Sequence, residues 1–478
     1  VSPPATVAPW EVFFASVTFA NCSTQTWAAT SAGAATGYKL GFNAPRDYDT
    51  WGTSRVGLPA DVPPGSKITV PLRARAGPLT GPHGWSWAVL QEGVAWLVAA
   101  SPLHSVEIAS ASSVATICPG VQADIGGGAS ASTQVQQCID AAASGGTLEL
   151  PAGIYRFTTA VQVSKPLTLR TAGTVAEPRG CLEPDGPACA VFRADDNLLV
   201  PRGFLRLVST TAVVLDHLVL DGNRGLRLAS TAASQCASGT NGSGFNAAAA
   251  GCTGCSFLKS GSARALCGTG FEWTGDQATV TRSEFRENGA HAVTNMWSDG
   301  LTLLQSNGAQ VSASRFVDNS DVDLIFGGGT NATVQNNSIA QFTQGTFAGL
   351  MLDNFNGGTS GDFTGTVVSG NSVECGAQLC DYAIELGPHA WYLSANLIGG
   401  TVTGNTAHGG KFGINAEGAG TVASPMVVTQ NTLGPSPSSA SFNCGTRACT
   451  AFNISPDSHV DVQTGPAATG ALTHHTCP

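Results

Sequence analysis

Charge is what this chain has least of. Asp, Glu, Lys and Arg make up 11% of its 478 residues, less than half of the ~25% usual in soluble domains. Lysine is scarcest, at five residues, and the formal net charge is −10. That balance argues against a nucleic-acid partner, since phosphate binding needs a basic surface. It also gives no general attraction for polyanions. No apolar run approaches about 18 residues, so no membrane span is expected. The opening VSPPATVAPW has neither a charged n-region nor an apolar h-region. The expectation is a mature secreted or extracellular chain whose signal peptide is already gone.

Glycine, by contrast, is plentiful at 59 residues, and cysteine numbers 14. Many glycines among small polar residues fit a chain of tight turns better than a helical enzyme. An even, high cysteine count implies an oxidising compartment. Cys181/Cys189, Cys375/Cys380 and Cys444/Cys449 are spaced to close short loops. Cys252-Thr-Gly-Cys255 is a CxxC, but no second CxxC and no His pair of ligand spacing accompanies it. A disulfide is expected there, not a zinc half-site.

The chain divides by composition. Residues 1–108 hold six of the nine tryptophans, Trp10, Trp27, Trp51, Trp85, Trp87 and Trp96. Short alternating runs such as Lys67–Leu72 lie between Pro/Gly turns there, as in a β-sandwich. The segments NCSTQTW, GYKLG, WGTSRVGLP and WSWAVLQEGVAW resemble the four-tryptophan Ig-like domain of autophagy receptors. That resemblance implies a packing or binding module, with the tryptophans expected in the core. Residues 109–134 read as a Gly/Ser/Ala-rich connector.

The third region, 135–478, opens on Cys138–Gly153, CIDAAASGGTLELPAG, followed by Tyr155. Ile139, Ala142 and Ala143 put an apolar stripe on a short helix that Ser132 or Thr133 can cap. Gly145-Gly146 ends it, and Leu148 and Leu150 then alternate at strand periodicity. This segment closely resembles the N-terminal cap of the pectate-lyase-like family, in which a helix plugs one end of a right-handed parallel β-helix. The implied fold class is all-β: an N-terminal Ig-like β-sandwich, then a right-handed parallel β-helix with an N-terminal capping helix.

A loose repeat follows. An apolar residue with a small or amide residue three positions later recurs at Val280/Ser283, Val311/Ser314, Val334/Asn337, Val368/Asn371, Val402/Asn405 and Val428/Asn431, at intervals of 31, 23, 34, 34 and 26 residues. Irregular spacing of this size is the mark of a solenoid with loop insertions. Asn337, Asn371, Asn405 and Asn431 should then stack as an amide ladder at ~4.8 Å. An earlier coil is expected around Val213–Asn223, with Val214, Leu218 and Leu220 inward.

About ten residues after each mark comes a second strand. Aligned, these strands put Val293, Ile325, Leu350, Ile384 and Ile414 in one inward column. Glu385 then faces outward, with Asp353 and Glu417 two positions along on the coils to either side. Rung and residue spacings place neighbouring members roughly 8 Å apart, a separation suited to glycoside hydrolysis by paired carboxylates. Mutual repulsion would raise at least one pKa, as a general acid needs. Glu385, Asp353, Glu417 and His389 are therefore the catalytic candidates. Trp391, Tyr392, Trp297, Asp299 and Lys411 are candidates for substrate binding. Asp318, Asp321 and Asp323 alternate like a calcium loop but lack the glycine and terminal glutamate of an EF-hand. Calcium is thus possible and no cofactor is required. A polygalacturonase would carry a trio of aspartates, a histidine and a basic RIK-like run. Asp321, Asp323, Asp353 and His389 match that loosely, and no such run is present. The scarcity of arginine beside the acids counts against a lyase.

The expected function is a secreted, carbohydrate-active enzyme, a glycoside hydrolase working on a polysaccharide along the helix wall. The alternatives are a lyase or epimerase, or a non-catalytic glycan-binding or adhesion protein, and a monomer is expected. The hydrolase reading requires residues 353, 385 and 417 to share one exposed wall. Scatter or burial would remove it.

Overall fold

The sequence mark Val-x-x-Asn has a backbone cause. In the computed structural model, Val280, Val311, Val334, Val368, Val402 and Val428 lie in direct register on successive parallel strands. Two residues after each valine the chain turns through a left-handed residue. These are Arg282, Ala313, Asn336, Gly370, Gly404 and Gln430, with φ between 50° and 64°. The next position is the ladder residue. Asn337 donates its side-chain amide to Asn371 Oδ1 (2.9 Å), Asn371 to Asn405 (2.8 Å) and Asn405 to Asn431 (2.9 Å). Each oxygen also accepts the backbone N–H of the preceding ladder residue. The expected ladder is present, and Ser260, Ser283 and Ser314 extend it toward the N-terminus. Left-handed non-glycine residues are disfavoured, and the ladder supplies the partners that hold the corner.

The structure describes residues 2–7, 12–30, 37–46, 51, 53–76, 81–108, 116–117, 130–173, 189–236, 244–376, 379–434, 453–455 and 457–463. It divides into two units, Val1–Val114 and Ala115–Pro478.

The second unit is a right-handed parallel β-helix. Its strands fall into three parallel sheets of 12, 10 and 10 strands, each coil giving one strand to each sheet. One complete coil is Gln310–Ser312, Arg315–Val317 and Val322–Phe326. Inward valines, leucines and stacked rings fill the bore; Phe285 and Phe316, for instance, stack with nearly parallel planes and centroids 5.1 Å apart. The helix Ser132–Ala141 packs Val135 and Ile139 into the first coil. Its N-cap is Ala131, without a side-chain cap bond. Ser132 is instead buried inside the first turn, so neither it nor Thr133 is the cap. Within the stretch read as a connector, Thr116–Ile117 already pairs with the first strand of the solenoid.

Three strand expectations need correction. Val214 is half-buried while Val213 and Leu215 enter the core, a one-residue phase error. Leu324, not Ile325, pairs with Leu350; Ile325 faces outward beside Met351. Val293 lies on the short helix His291–Thr294 and is 75% exposed. The strand of that coil is Leu301–Gln305. The loop before it carries an apolar alternation that mimics a strand.

Three disulfides have both partners described. Cys375–Cys380 and Cys252–Cys255 close the short loops expected of them, and Cys236–Cys267 joins residues 31 apart in sequence. Cys181, Cys444 and Cys449 lie outside the described residues. No described helix is long and apolar enough to cross a membrane.

The first unit is all β, with strands in three-, two- and four-stranded sheets. Trp27, Trp51, Trp85 and Trp87 are buried, and Phe13, Trp51, Trp85 and Trp87 contact one another edge-on or tilted. Those tryptophans are core, as expected. Trp96 is half-buried under the guanidinium groups of Arg46 and Arg55, and Trp10 lies outside the described residues.

Candidate active site

The three acids proposed as catalytic, Asp353, Glu385 and Glu417, stand on the outer side of the third sheet. Leu350, Ile384 and Ile414 are in register and point into the bore. Met351, Glu385 and Asn415 form the next column and face out. Two residues further, Asp353, Gly387 and Glu417 follow in line. The predicted wall therefore exists, and the fields of its acids overlap. Burial, then Glu417, then Asp353 hold the Glu385 carboxyl well above its ordinary range, against a hydrogen bond donated by Asn415 (2.7 Å).

The predicted exposure does not exist. Asp353 and Glu385 are both 0% exposed, and only Glu417 keeps partial access. The outer face is roofed. Val322, Ile325, Ala348 and Met351 form an apolar floor, against which Phe347, Phe355, Tyr382 and Trp391 pack. Phe347 and Trp391 lie 4.7 Å apart, and Phe347 and Tyr382 5.2 Å. A column of Met, Glu and Asn reads as solvent-facing in sequence, whereas in the fold Trp391 and Phe355 pack against the apolar residues beside it, Met351 included. A catalytic centre built on Glu385 is therefore not presented to a polymer. Neither Asp353 oxygen completes a hydrogen bond of normal geometry, although the N–H groups of Asn354 and Phe355 lie close enough to oppose its protonation. Burial dominates, Asp299 adds repulsion, and the Asp353 pKa rises to about 6.

His389 turns away from Glu385. Its Nδ1 lies 2.5 Å from Asp457 Oδ2 and its ring rests against Gly418. Lys411 pairs with Asp381 at 2.5 Å. Trp297 stacks on His291, half exposed. Trp391 and Tyr392 do reach the acids' surroundings: Trp391 through the roof, and Tyr392 through its hydroxyl, whose pKa is raised by burial and then by Asp353 and Asp321.

Asp318, Asp321 and Asp323 do not converge on one point as the oxygens of a calcium loop do. Asp318 accepts from the backbone N–H groups of Phe342 (2.7 Å) and Thr343 (2.9 Å) and from the Thr343 hydroxyl (2.9 Å), pinning the next coil's turn. Asp323 points inward, where Asn319 (2.6 Å) and Gln341 (2.7 Å) donate to it. Burial lifts its pKa to about 7 despite those bonds. Only Asp321 joins the outer face. Among the described residues, no three His, Cys, Asp or Glu side chains are grouped to hold a metal ion.

Asp321 and Asp299 form the pair that sequence reasoning missed. They sit on adjacent rungs where the chain enters the third sheet: Asp321 N–H donates to Ser298 O (3.0 Å), and Val322 N–H to Asp299 Oδ1 (3.2 Å). Rung spacing and a one-residue offset put their backbones ~6 Å apart. Both keep solvent access, yet protein crowds them. Burial raises Asp299 to about 6 against hydrogen bonds from Thr302 and Val322, with Glu272 adding repulsion. Burial and then Asp299 hold Asp321 well above the usual carboxylate range. Two neighbouring carboxyls that cannot both ionise easily are a proton donor and acceptor in one place. The available signal was position: both precede a third-sheet strand, in Ser298-Asp299-Gly300 and Ser320-Asp321-Val322.

No family model and no curated protein matches the sequence. Among solved structures, the Yersinia enterocolitica family 28 exopolygalacturonase is similar at 13% identity and a TM-score of 0.44, over 89% of this chain and 86% of that one. The Dettilon tailspike protein gives 13% and 0.39, over 66% of each chain. The catalytic unit of the α-1,3-glucanase of Streptomyces thermodiastaticus gives 14% and 0.38, over 96% of this chain and 89% of that one.

Proposed function

We propose that this chain is a secreted, carbohydrate-active enzyme that hydrolyses a polysaccharide by general acid–base catalysis, with Asp299 and Asp321 as the working pair. One observation carries the reading: Asp299 and Asp321 stand on adjacent rungs, each residue keeps partial solvent access, and burial raises the pKa of both carboxyls. Thr302 and Val322 donate hydrogen bonds to Asp299 and favour its ionised form, whereas the influences on Asp321, burial and then the Asp299 charge, both favour its protonated form. Asp321 would therefore donate to the leaving glycosidic oxygen, and Asp299 would act as base or nucleophile. Asp353 contributes its field from beneath, and Trp297 and Tyr392 offer ring faces for sugars.

Hydrolysis is favoured over lyase or epimerase chemistry by the cations. A charge neutraliser is needed to abstract a proton beside a uronate carboxylate, and Lys411 and Arg202 are paired with Asp381 and Glu272. The test is Asp299→Asn and Asp321→Asn, assayed for reducing ends on a polysaccharide panel. Each should lose turnover by about 10²-fold or more while retaining binding. Full activity in either variant rejects the pair. A second reading, glycan binding without turnover, draws on the complete burial of Asp353 and Glu385. It predicts binding by the unaltered protein and no products from any glycan.

A further inference from the structure

On the same outer face, at the far end of the third-sheet strands, lies a cavity of about 530 Å³ lined by Thr274, Asp276, Leu304, Gln305, Phe355 and Thr359, with glycines between. That volume is in the ~300–1,000 Å³ range of small-ligand sites. It stands five residues along the strand from Asp299, ~17 Å by strand rise. A polymer crossing the face from the acid pair would reach it.

The lining has a definite chemistry. Gln305 Oε1 accepts the Ser360 N–H (3.2 Å), and among the described residues its side-chain amide N–H groups donate to no protein partner. Asp276 Oδ1 accepts the Asn307 N–H (3.0 Å), and its other oxygen remains an acceptor on an exposed residue. The Phe355 ring supplies an apolar face. It is held there at a cost: Phe355 and Asn356 both adopt left-handed φ, 46° and 59°, a conformation bulky residues avoid. The ring lies against Gly327, where a Cβ would sit 2.5 Å from it. Gly327 is the register neighbour of Asp353, following the Phe326–Leu352 pair. Asn354 ties the same segment to the roof by donating its side-chain amide to Asn396 O (3.0 Å). Donor, acceptor and ring around one hollow suit a sugar ring. No Lys, Arg or His lines the cavity, and its one charged group is Asp276. A uronate carboxylate there would meet repulsion and no counter-charge.

We propose that this cavity is a subsite for a neutral saccharide unit of the substrate, making the ligand a neutral glycan and not a polyuronate. The proposal rests on the hydrolase reading for its placement, but its own test is one of binding. Using the full chain as Asp299→Asn, calorimetric titration with neutral oligosaccharides (gluco-, manno-, xylo- and galacto-configured) and with oligouronates separates the classes. A neutral series should bind and the uronates should bind at least ten-fold more weakly. Phe355→Ala and, separately, Gln305→Ala should each weaken the neutral ligand about ten-fold. In the otherwise unaltered enzyme the same two changes should raise KM and leave kcat within about two-fold. Gln305→Ala alters a half-buried polar side chain, so it stands if Phe355→Ala fails to fold. Preference for uronates, no binding of any glycan, or neutral affinity untouched by Gln305→Ala overturns the subsite. Cavity-dependent binding without products would sink the hydrolase and spare the subsite. Turnover of a neutral glycan indifferent to both changes would do the reverse.

Discussion

Replacing Asp353 by asparagine should stabilise the protein at neutral pH and impair it. Asp353 is 0% exposed with neither oxygen properly hydrogen-bonded. Its carboxyl has moved from 3.8 to about 6, so ionisation costs about 3 kcal/mol more in the fold than in the unfolded chain. Below pH ~4 the group is protonated in both states and contributes no difference. From there to about 6 the unfolded chain releases its proton while the folded protein keeps it, so stability falls as pH rises. Above 6 the whole penalty is present. Asparagine has no such titration and nearly the same shape. Urea unfolding of Asp353→Asn should match the original protein near pH 4 and exceed it by about 1–3 kcal/mol at pH 7.5. Removing this charge also relieves Asp299, so the pH profile of turnover should move to lower pH. Equal stability differences at both pH values, or a variant weaker at pH 7.5, would refute the unpaired-carboxylate argument. Gain of stability with loss of function is the trade expected where a site holds strain for a purpose.

Asn371→Ala removes two accepted and two donated bonds from the buried ladder. It should cost on the order of 4 kcal/mol in urea unfolding, and a loss under 1 kcal/mol would deny the ladder its role. Asp318→Ala frees the N–H groups of the 342–344 turn and should cost about 2 kcal/mol without changing any response to calcium, checked by thermal melts with and without the ion. The double change Cys375→Ser, Cys380→Ser opens a loop of separation five and should lower stability by about 2 kcal/mol. Reductant on the unaltered protein should give a shift in the same direction.

The winding of this protein is legible in its sequence because winding is a local pattern repeated. Each coil needs an inward valine, a left-handed corner and a residue whose side chain can satisfy the next coil's backbone, and those constraints recur in order from Val280 to Asn431. The valine column and the amide ladder could therefore be placed to the residue. The segment between Arg286 and Leu301 broke the rule, since His291–Thr294 copies a strand's alternation without pairing, and Ile325 slipped by one because two apolar residues, Ile325 and Phe326, directly follow the true inward Leu324.

The site was legible only in part. Strand alternation determined that Asp353, Glu385 and Glu417 face away from the bore. It could not determine whether that face meets water, because Trp391 and Phe355 come from insertions whose path depends on what they pack against. Likewise, alternating aspartates at 318, 321 and 323 suggest a shared cation, yet the corner of the coil sends one into a turn, one outward and one into the core. Asp299 and Asp321 lie in different repeats, and only the coil-to-coil register brings their carboxyls together. Sequence by itself settled the periodicity, hence the solenoid and the facing of its strands. Tertiary structure alone decided burial, and burial sets both the pKa of each acid and its reach to a substrate, because desolvation depends on every atom around a group and not on its neighbours in the chain.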